Sequence, residues 1–282
     1  MQTHMVEGGS LRFEVRGQGD PLLLIHGACG QIEMLADLAG ALAATHRVLS
    51  YDRRGCGSST PDATNDVRVH ANDAAVLIRD VLKEPAIVVG WSWGADIALA
   101  LALAVPSLVR SLVLLEPAWQ MGRPSVEGLR LVMKVGYQYL RGKDRLAAET
   151  LGRWVFQRQR GGTAWDEMPE NIKDVWLANT GALKVELLRP SLHNLSMDFV
   201  SAKTMAGITV PVTFVIGDDS HSMRHKVQES LSAALPAMKT IRVAGASHLL
   251  PVESPAAVRD AVLEATANVS EARSPSPGRF EQ

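Results

Sequence analysis

Two hydrophobic periods take turns along this chain. Residues 11–16, Leu-Arg-Phe-Glu-Val-Arg, alternate in character and predict a strand. Residues 22–25, Leu-Leu-Leu-Ile, form a continuous apolar run, the pattern of a strand covered on both faces. Further strands are predicted at 47–51, 87–89, 109–115, 210–217 and 238–243. Between them fall stretches with helical character at about 32–44, 68–82, 95–100, 225–235 and 254–267. Short strands alternating with amphipathic helices predict a mostly parallel sheet with helices on both faces, an α/β architecture. The alternation stops at Trp119. From 119 to about 203 no strand is evident, and several helices are predicted, rich in Trp and Met and broken by Gly161-Gly162 and Pro190. The strand pattern then resumes. The expected organisation is a core of residues 1–118 and 204–268, a helical cap of residues 119–203, and a Pro/Ser-rich tail, 269–282, without fixed structure. A cap there would lie over the C-terminal strand ends and exclude water; extra core helices are the alternative.

The chemistry concentrates after the strand at 87–89. Gly90-Trp91-Ser92-Trp93-Gly94 follows it, and an Ala/Leu-rich helical stretch follows that. A G-x-S-x-G pattern between strand and helix places the serine on a sharp, strained turn, with its Oγ clear of the sheet. Gly90 and Gly94 let strand and helix approach. The N–H of Trp93 stands at the start of the helix, where free donors and the dipole favour an anion. Ser92 is therefore the candidate nucleophile. Of the histidines, His248 is the candidate base, because it falls in a loop between the last strand and the last helix, at the C-terminal edge of the sheet.

Composition narrows the class. The chain has 282 residues, 46% hydrophobic, enough for a large core, with a formal net charge of -1. No basic stripe points to nucleic acid and no polybasic segment or long apolar run to a membrane. The two cysteines, Cys29 and Cys56, form neither a disulfide framework nor a zinc pattern, so no metal or cofactor is expected. With no basic-then-apolar start, the cytoplasm is the expected location. Oligomeric state is not legible.

Four motifs together carry a resemblance: His26-Gly27 after a strand, Asp52-Arg53-Arg54-Gly55-Cys56-Gly57-Ser58-Ser59, the serine turn, and Gly245-Ala246-Ser247-His248. The chain resembles the α/β-hydrolase family along almost its whole length. The resemblance implies an oxyanion hole formed by the N–H groups of Ala28 and Trp93, with His248 as general base. Asp52 and Arg53 are expected to brace loops. One departure stands out. The family's usual acid is an aspartate three residues after the glycine that ends a late strand. That glycine is Gly217, and the third residue on is Ser220. Asp218 and Asp219 are out of register. The family's other location is the end of the strand after the nucleophile helix, which here carries Glu116. The zearalenone-lactonase-like branch and some haloalkane dehalogenases are similar in this respect. Glu116 is preferred as triad acid over Asp219.

A serine nucleophile argues against dehalogenase and epoxide hydrolase chemistry, which resemble this fold but use aspartate. The expected function is cleavage of a small apolar carboxylic ester or lactone through an acyl-enzyme. Carbon–carbon hydrolysis, cofactor-free perhydrolysis and slow-turnover ligand reception are the alternatives. Trp91, Trp93, Met133, Trp154, Trp176, Leu183 and Met197 are candidate pocket residues.

Overall fold

The computed structural model describes residues 1–118, 126–188 and 202–271. Its centre is one eight-stranded sheet: β1 (Gln2–Val6), β2 (Gly9–Arg16), β3 (Asp20–Ile25), β4 (His46–Tyr51), β5 (Ala86–Trp91), β6 (Val109–Leu115), β7 (Val212–Gly217) and β8 (Lys239–Val243). The order is β1-β2-β4-β3-β5-β6-β7-β8. β1 and β2 form an antiparallel hairpin, β2 pairs antiparallel with β4, and the remaining strands are parallel.

The helices are α1 (Ala36–Leu42), α2 (Val67–Leu77), α3 (Trp93–Ala104), α4 (Val126–Leu140), α5 (Asp144–Val155), α6 (Glu170–Ala178), α7 (Thr180–Leu188), α8 (Ala202–Met205), α9 (Ser222–Ala234), α10 (Leu250–Glu253) and α11 (Pro255–Glu271). The parallel strands send alternate side chains into two cores. Leu23, Ile25, Val88, Leu112 and Leu114 pack with α2, α3 and α9 on one face. Leu22, Leu24, Ile87, Val89, Val113 and Leu115 pack with α1 and α11 on the other. Residues of α4–α7, among them Val135, Leu151, Trp176 and Leu183, join this second core. Among the described residues, helices α4–α7 thus fall in the predicted strandless stretch.

Three differences from the sequence pattern have local causes. β1 was not anticipated, because its Gln-Thr-His-Met-Val sequence is mostly exposed and shows no apolar face. The first predicted helix, 32–44, opens as a tighter 3-10 turn over Ile32–Leu35 and becomes α-helical only afterwards. The second ends in a π turn over Ile78–Leu82, closed by Lys83 in the left-handed region at φ 60°. Trp119, Met197 and the tail beyond residue 271 lie outside the described residues.

Strand register brings the functional loops together. Ile25 pairs with Gly90, Trp91 with Leu115, Leu115 with Val215, and Gly217 with Val243. His26, Ser92, Glu116 and the loops after Gly217 and Val243 therefore leave the sheet along one C-terminal edge. β3 lies between β4 and β5, where the chain order reverses; open α/β sheets bind ligands at such a point. The crossing of β3, β5 and α3 is tight enough to demand glycine. A Cβ on Gly94 would stand 2.3 Å from the Ile25 carbonyl oxygen and 2.7 Å from that of His26. Backbone cannot yield there as a flexible side chain would, so Gly94→Ala is expected to cost about 1–3 kcal/mol or more. Thermal unfolding reads this as a lowered Tm; an unchanged Tm would mean the crossing has slack.

Candidate active site

β5 runs into α3 through a single residue, Ser92, at φ 53° and ψ −120°. That is a sparsely populated region for a residue with a Cβ, costing on the order of 1–3 kcal/mol. Neighbouring structure holds it there. The Ser92 N–H donates to the Leu115 carbonyl at 2.9 Å, and its carbonyl accepts from Ala95 at 2.9 Å. The serine is 7% exposed.

His248, in the loop between β8 and α10, is 1% exposed. Its Nε2 lies 3.1 Å from Ser92 Oγ, and its Nδ1 lies 2.8 Å from Glu116 Oε2. An ionised carboxylate only accepts, so the proton resides on Nδ1 and Nε2 is free to accept from the serine hydroxyl. The imidazole is flanked by Trp91 and Phe156, each with its ring centroid 5.8 Å away. Trp91 also donates its indole N–H to the His248 carbonyl at 2.9 Å, which fixes the loop that carries the histidine.

Glu116 is fully buried at the end of β6, itself in the left-handed region at φ 46°. Oε1 accepts from the Gly217 N–H at 2.8 Å and from the Ser220 hydroxyl at 2.5 Å, leaving Oε2 for His248. Ser220, the third residue after Gly217, thus holds the Glu116 carboxylate. Asp219 is committed elsewhere. Its Oδ2 pairs with Arg158 at 3.1 Å and Arg160 at 3.0 Å, and its Oδ1 accepts from the Arg160 N–H. Asp218 pairs with Arg242 at 3.9 Å, near the surface.

The electrostatics favour a neutral imidazole beside an ionised carboxylate. Burial alone would raise the Glu116 carboxyl. The hydrogen bond from His248, its charge whenever it is protonated, the Arg224 guanidinium and the Ser220 hydroxyl reverse this and hold it below its ordinary value. Burial pushes His248 down, and the Arg224 charge adds to the push, against the raising effect of Glu116. Arg224, on α9, is itself buried and donates to the Pro117 carbonyl at 3.4 Å. A base must be neutral to accept a proton. With His248 as the base, kcat/KM is expected to stay flat as pH falls through 6.5, the ordinary histidine value, and to drop only at more acid pH. A pH–rate profile on an aryl ester, with folding monitored in parallel, checks this; an acid limb at or above 6.5 would contradict it.

The β3–α1 loop completes the site. Gly27 packs so closely on the serine that a Cβ there would stand 3.1 Å from the Ser92 Cβ. The Ala28 N–H, next along this loop, has no acceptor among the turn and loop hydrogen bonds of the described residues. The Trp93 N–H is the first of the donors that a helix start leaves without a ladder partner. Among the described residues, no group of three or more His, Cys, Asp or Glu side chains is placed to hold a metal. No helix among them is long and apolar enough to cross a membrane.

Residues 22–261 match the family described as the alpha/beta hydrolase family. The chain belongs to this family. An uncharacterized hydrolase of Bacillus subtilis (strain 168), YraK, is 35% identical over 120 residues, 41% of this chain and 44% of the relative, so the match spans less than half of that protein. The 2-(acetamidomethylene)succinate hydrolase of Mesorhizobium japonicum is 26% identical over 261 residues, 90% of this chain and 91% of that one. The crystal structure of carboxylesterase CesB (YbfK) from Bacillus subtilis shares the fold, with a TM-score of 0.74 at 20% identity, covering 95% of this chain and 93% of that one.

Several contributors to this alpha/beta hydrolase site left no mark in the sequence pattern. Phe156 is one apolar residue of a helical stretch, and nothing in its spacing says that it faces His248. Ser220 marked a missing aspartate but gave no sign of a donor to Glu116. Of the candidate pocket residues, Trp91, Trp176 and Leu183 are buried, whereas Met133 is 58% exposed on α4 and faces away from the core.

Proposed function

We propose that this alpha/beta hydrolase is a serine hydrolase that cleaves a small apolar carboxylic ester or lactone through an acyl-enzyme. The reading rests on one observation, the unbroken hydrogen-bonded line from Ser92 Oγ through His248 to Glu116, starting at a serine in the left-handed region. Ser92 Oγ attacks the carbonyl carbon while its proton passes to His248 Nε2. The N–H groups of Ala28 and Trp93 take the developing oxyanion. The tetrahedral intermediate collapses, and the departing alkoxide takes the proton from His248. Water then attacks the acyl-enzyme, giving its proton to Nε2, and the same hole holds the second oxyanion. Breakdown returns the proton to Ser92 and releases the acid. Glu116 keeps the Nδ1 tautomer and stabilises the imidazolium that forms twice per cycle.

Helices α4–α7 serve as a cap in this reading. Phe156, at the end of α5, stacks beside both His248 and Trp91, and Trp176 of α6 packs edge-on against Phe156 at 5.2 Å. An apolar wall beside the base suits an apolar acyl or alkoxy group and keeps bulk water from the imidazole. The test is active-site labelling. A fluorophosphonate should add to one residue, Ser92, in stoichiometric amount, and an aryl ester should give an initial burst of phenolate equal to the enzyme present. Labelling elsewhere, or no labelling of folded protein, would remove the proposal.

A further inference from the structure

Arg53 is a fully buried arginine that the mechanism above does not use. Its guanidinium has two partners in two parts of the molecule. Nη1 pairs with Glu186 Oε1 of α7 at 2.8 Å, and Nη2 donates to the Gly27 carbonyl at 3.0 Å. The Glu186 side chain is 8% exposed, so the ion pair is buried on both sides.

The Gly27 carbonyl is the informative partner. It also accepts from His26 Nδ1 at 2.8 Å and, at longer range, from the Gly30 N–H at 3.3 Å. The His26 tautomer is fixed by its other nitrogen. Nε2 accepts from the Arg53 backbone N–H at 3.0 Å, so Nδ1 carries the proton and donates. The Gly27–Ala28 peptide is trans. In a trans peptide the N–H points opposite to the carbonyl. Pinning the Gly27 oxygen against Arg53 and His26 therefore aims the Ala28 N–H away from them. Ala28 is partly accessible while Gly27 and Cys29 on either side of it are buried. A cation on the carbonyl oxygen also polarises the amide, which makes its N–H a stronger donor.

We propose that Arg53 is a positioning residue for the oxyanion hole: it orients and polarises the Gly27–Ala28 peptide, and through Glu186 it ties that peptide to α7. This rests on the serine hydrolase reading. It goes beyond the expected role of Arg53 as a loop brace, because it assigns the arginine an effect on the transition state.

The experiment compares Arg53→Met and Arg53→Lys with the natural protein. Rates on an aryl ester are normalised to the active fraction found by phosphonate titration. The Ki of an alkyl trifluoromethyl ketone, which forms an oxyanionic hemiketal with the serine, is measured alongside. Arg53→Met is expected to lower kcat roughly 10-fold or more, short of the 10²–10³ lost when a donor is removed outright. The ketone Ki should rise by a similar factor, with KM within about twofold. Removing one member of a buried ion pair endangers folding. Arg53→Lys keeps the charge for Glu186 but lacks the fork that reaches Gly27 as well, so it should hold Tm and still show the kcat and ketone effects. A lower Tm or active fraction with unchanged kcat per active site and unchanged ketone affinity would make Arg53 a brace only and overturn the proposal. So would a rise in KM with kcat intact. Failure of the hydrolase reading shows separately, as a natural protein that neither labels nor turns over esters.

Discussion

Ser92→Ala is expected to fold as the natural protein does and to lose turnover by on the order of 10⁵-fold or more. The first half follows from what the hydroxyl touches. Among the described residues its one hydrogen bond is to His248, and the backbone bonds that hold residue 92 in place, to Leu115 and Ala95, do not involve the side chain. Alanine has the same Cβ and so keeps the same backbone strain. The second half follows from the chemistry, since no other side chain stands within reach of His248 Nε2 to replace the nucleophile among the hydrogen bonds of the described residues. Ser92→Gly separates the two halves. It removes the nucleophile and the Cβ together and should raise Tm by relieving part of the roughly 1–3 kcal/mol stored at this position. A pair of variants equally inactive, one more stable than the natural protein, would show stability given up for catalysis at one residue. Retained ester turnover by folded Ser92→Ala would end the acyl-enzyme mechanism.

What could be read from the sequence and what could not divide along physical lines. Buried parallel strands write themselves as apolar runs, so β3, β5, β6 and β7 and the loops at their ends were legible, and with them the positions of Ser92 and Glu116; His248 was legible from its place between the last strand and the last helix, since β8 is largely exposed. β1 was not, because an exposed edge strand leaves no apolar pattern. Contacts between distant segments carry no periodic signal. That Ser220 would donate to a glutamate 104 positions earlier, or Arg53 pair with Glu186 across 133, follows only from the folded geometry. The same limit explains Met133, which looked like a pocket residue by composition and proves exposed. Helical periodicity gives a face; it does not say what the face meets.

The sharpest comparison is between two carboxylates. Glu116→Gln is expected to lower kcat by roughly 10³–10⁴-fold, and Asp219→Asn by no more than about threefold. The geometry forces the first result. The Gly217 N–H and the Ser220 hydroxyl both donate to Oε1, so a glutamine at 116 must turn its carbonyl oxygen toward them. Its NH₂ then faces His248 Nδ1. A donor there selects the other tautomer, with Nδ1 accepting and the proton on Nε2, aimed at Ser92. The imidazole can no longer take the serine proton, although every heavy atom is nearly where it was. Asp219→Asn loses ion pairs to Arg158 and Arg160, but Arg158 keeps Glu167 and Glu253, so the effect should fall on Tm. A third variant joins the two strand ends. Ser220→Asp in the Glu116→Gln background puts a carboxylate at the family's usual register, next to the lost one, and should recover at least about tenfold of kcat. If Asp219→Asn proves inactive while Glu116→Gln turns over normally, the acid has been assigned to the wrong strand. If neither matters, His248 keeps its tautomer without a carboxylate, and the burial of Glu116 at the end of β6 has some other cause.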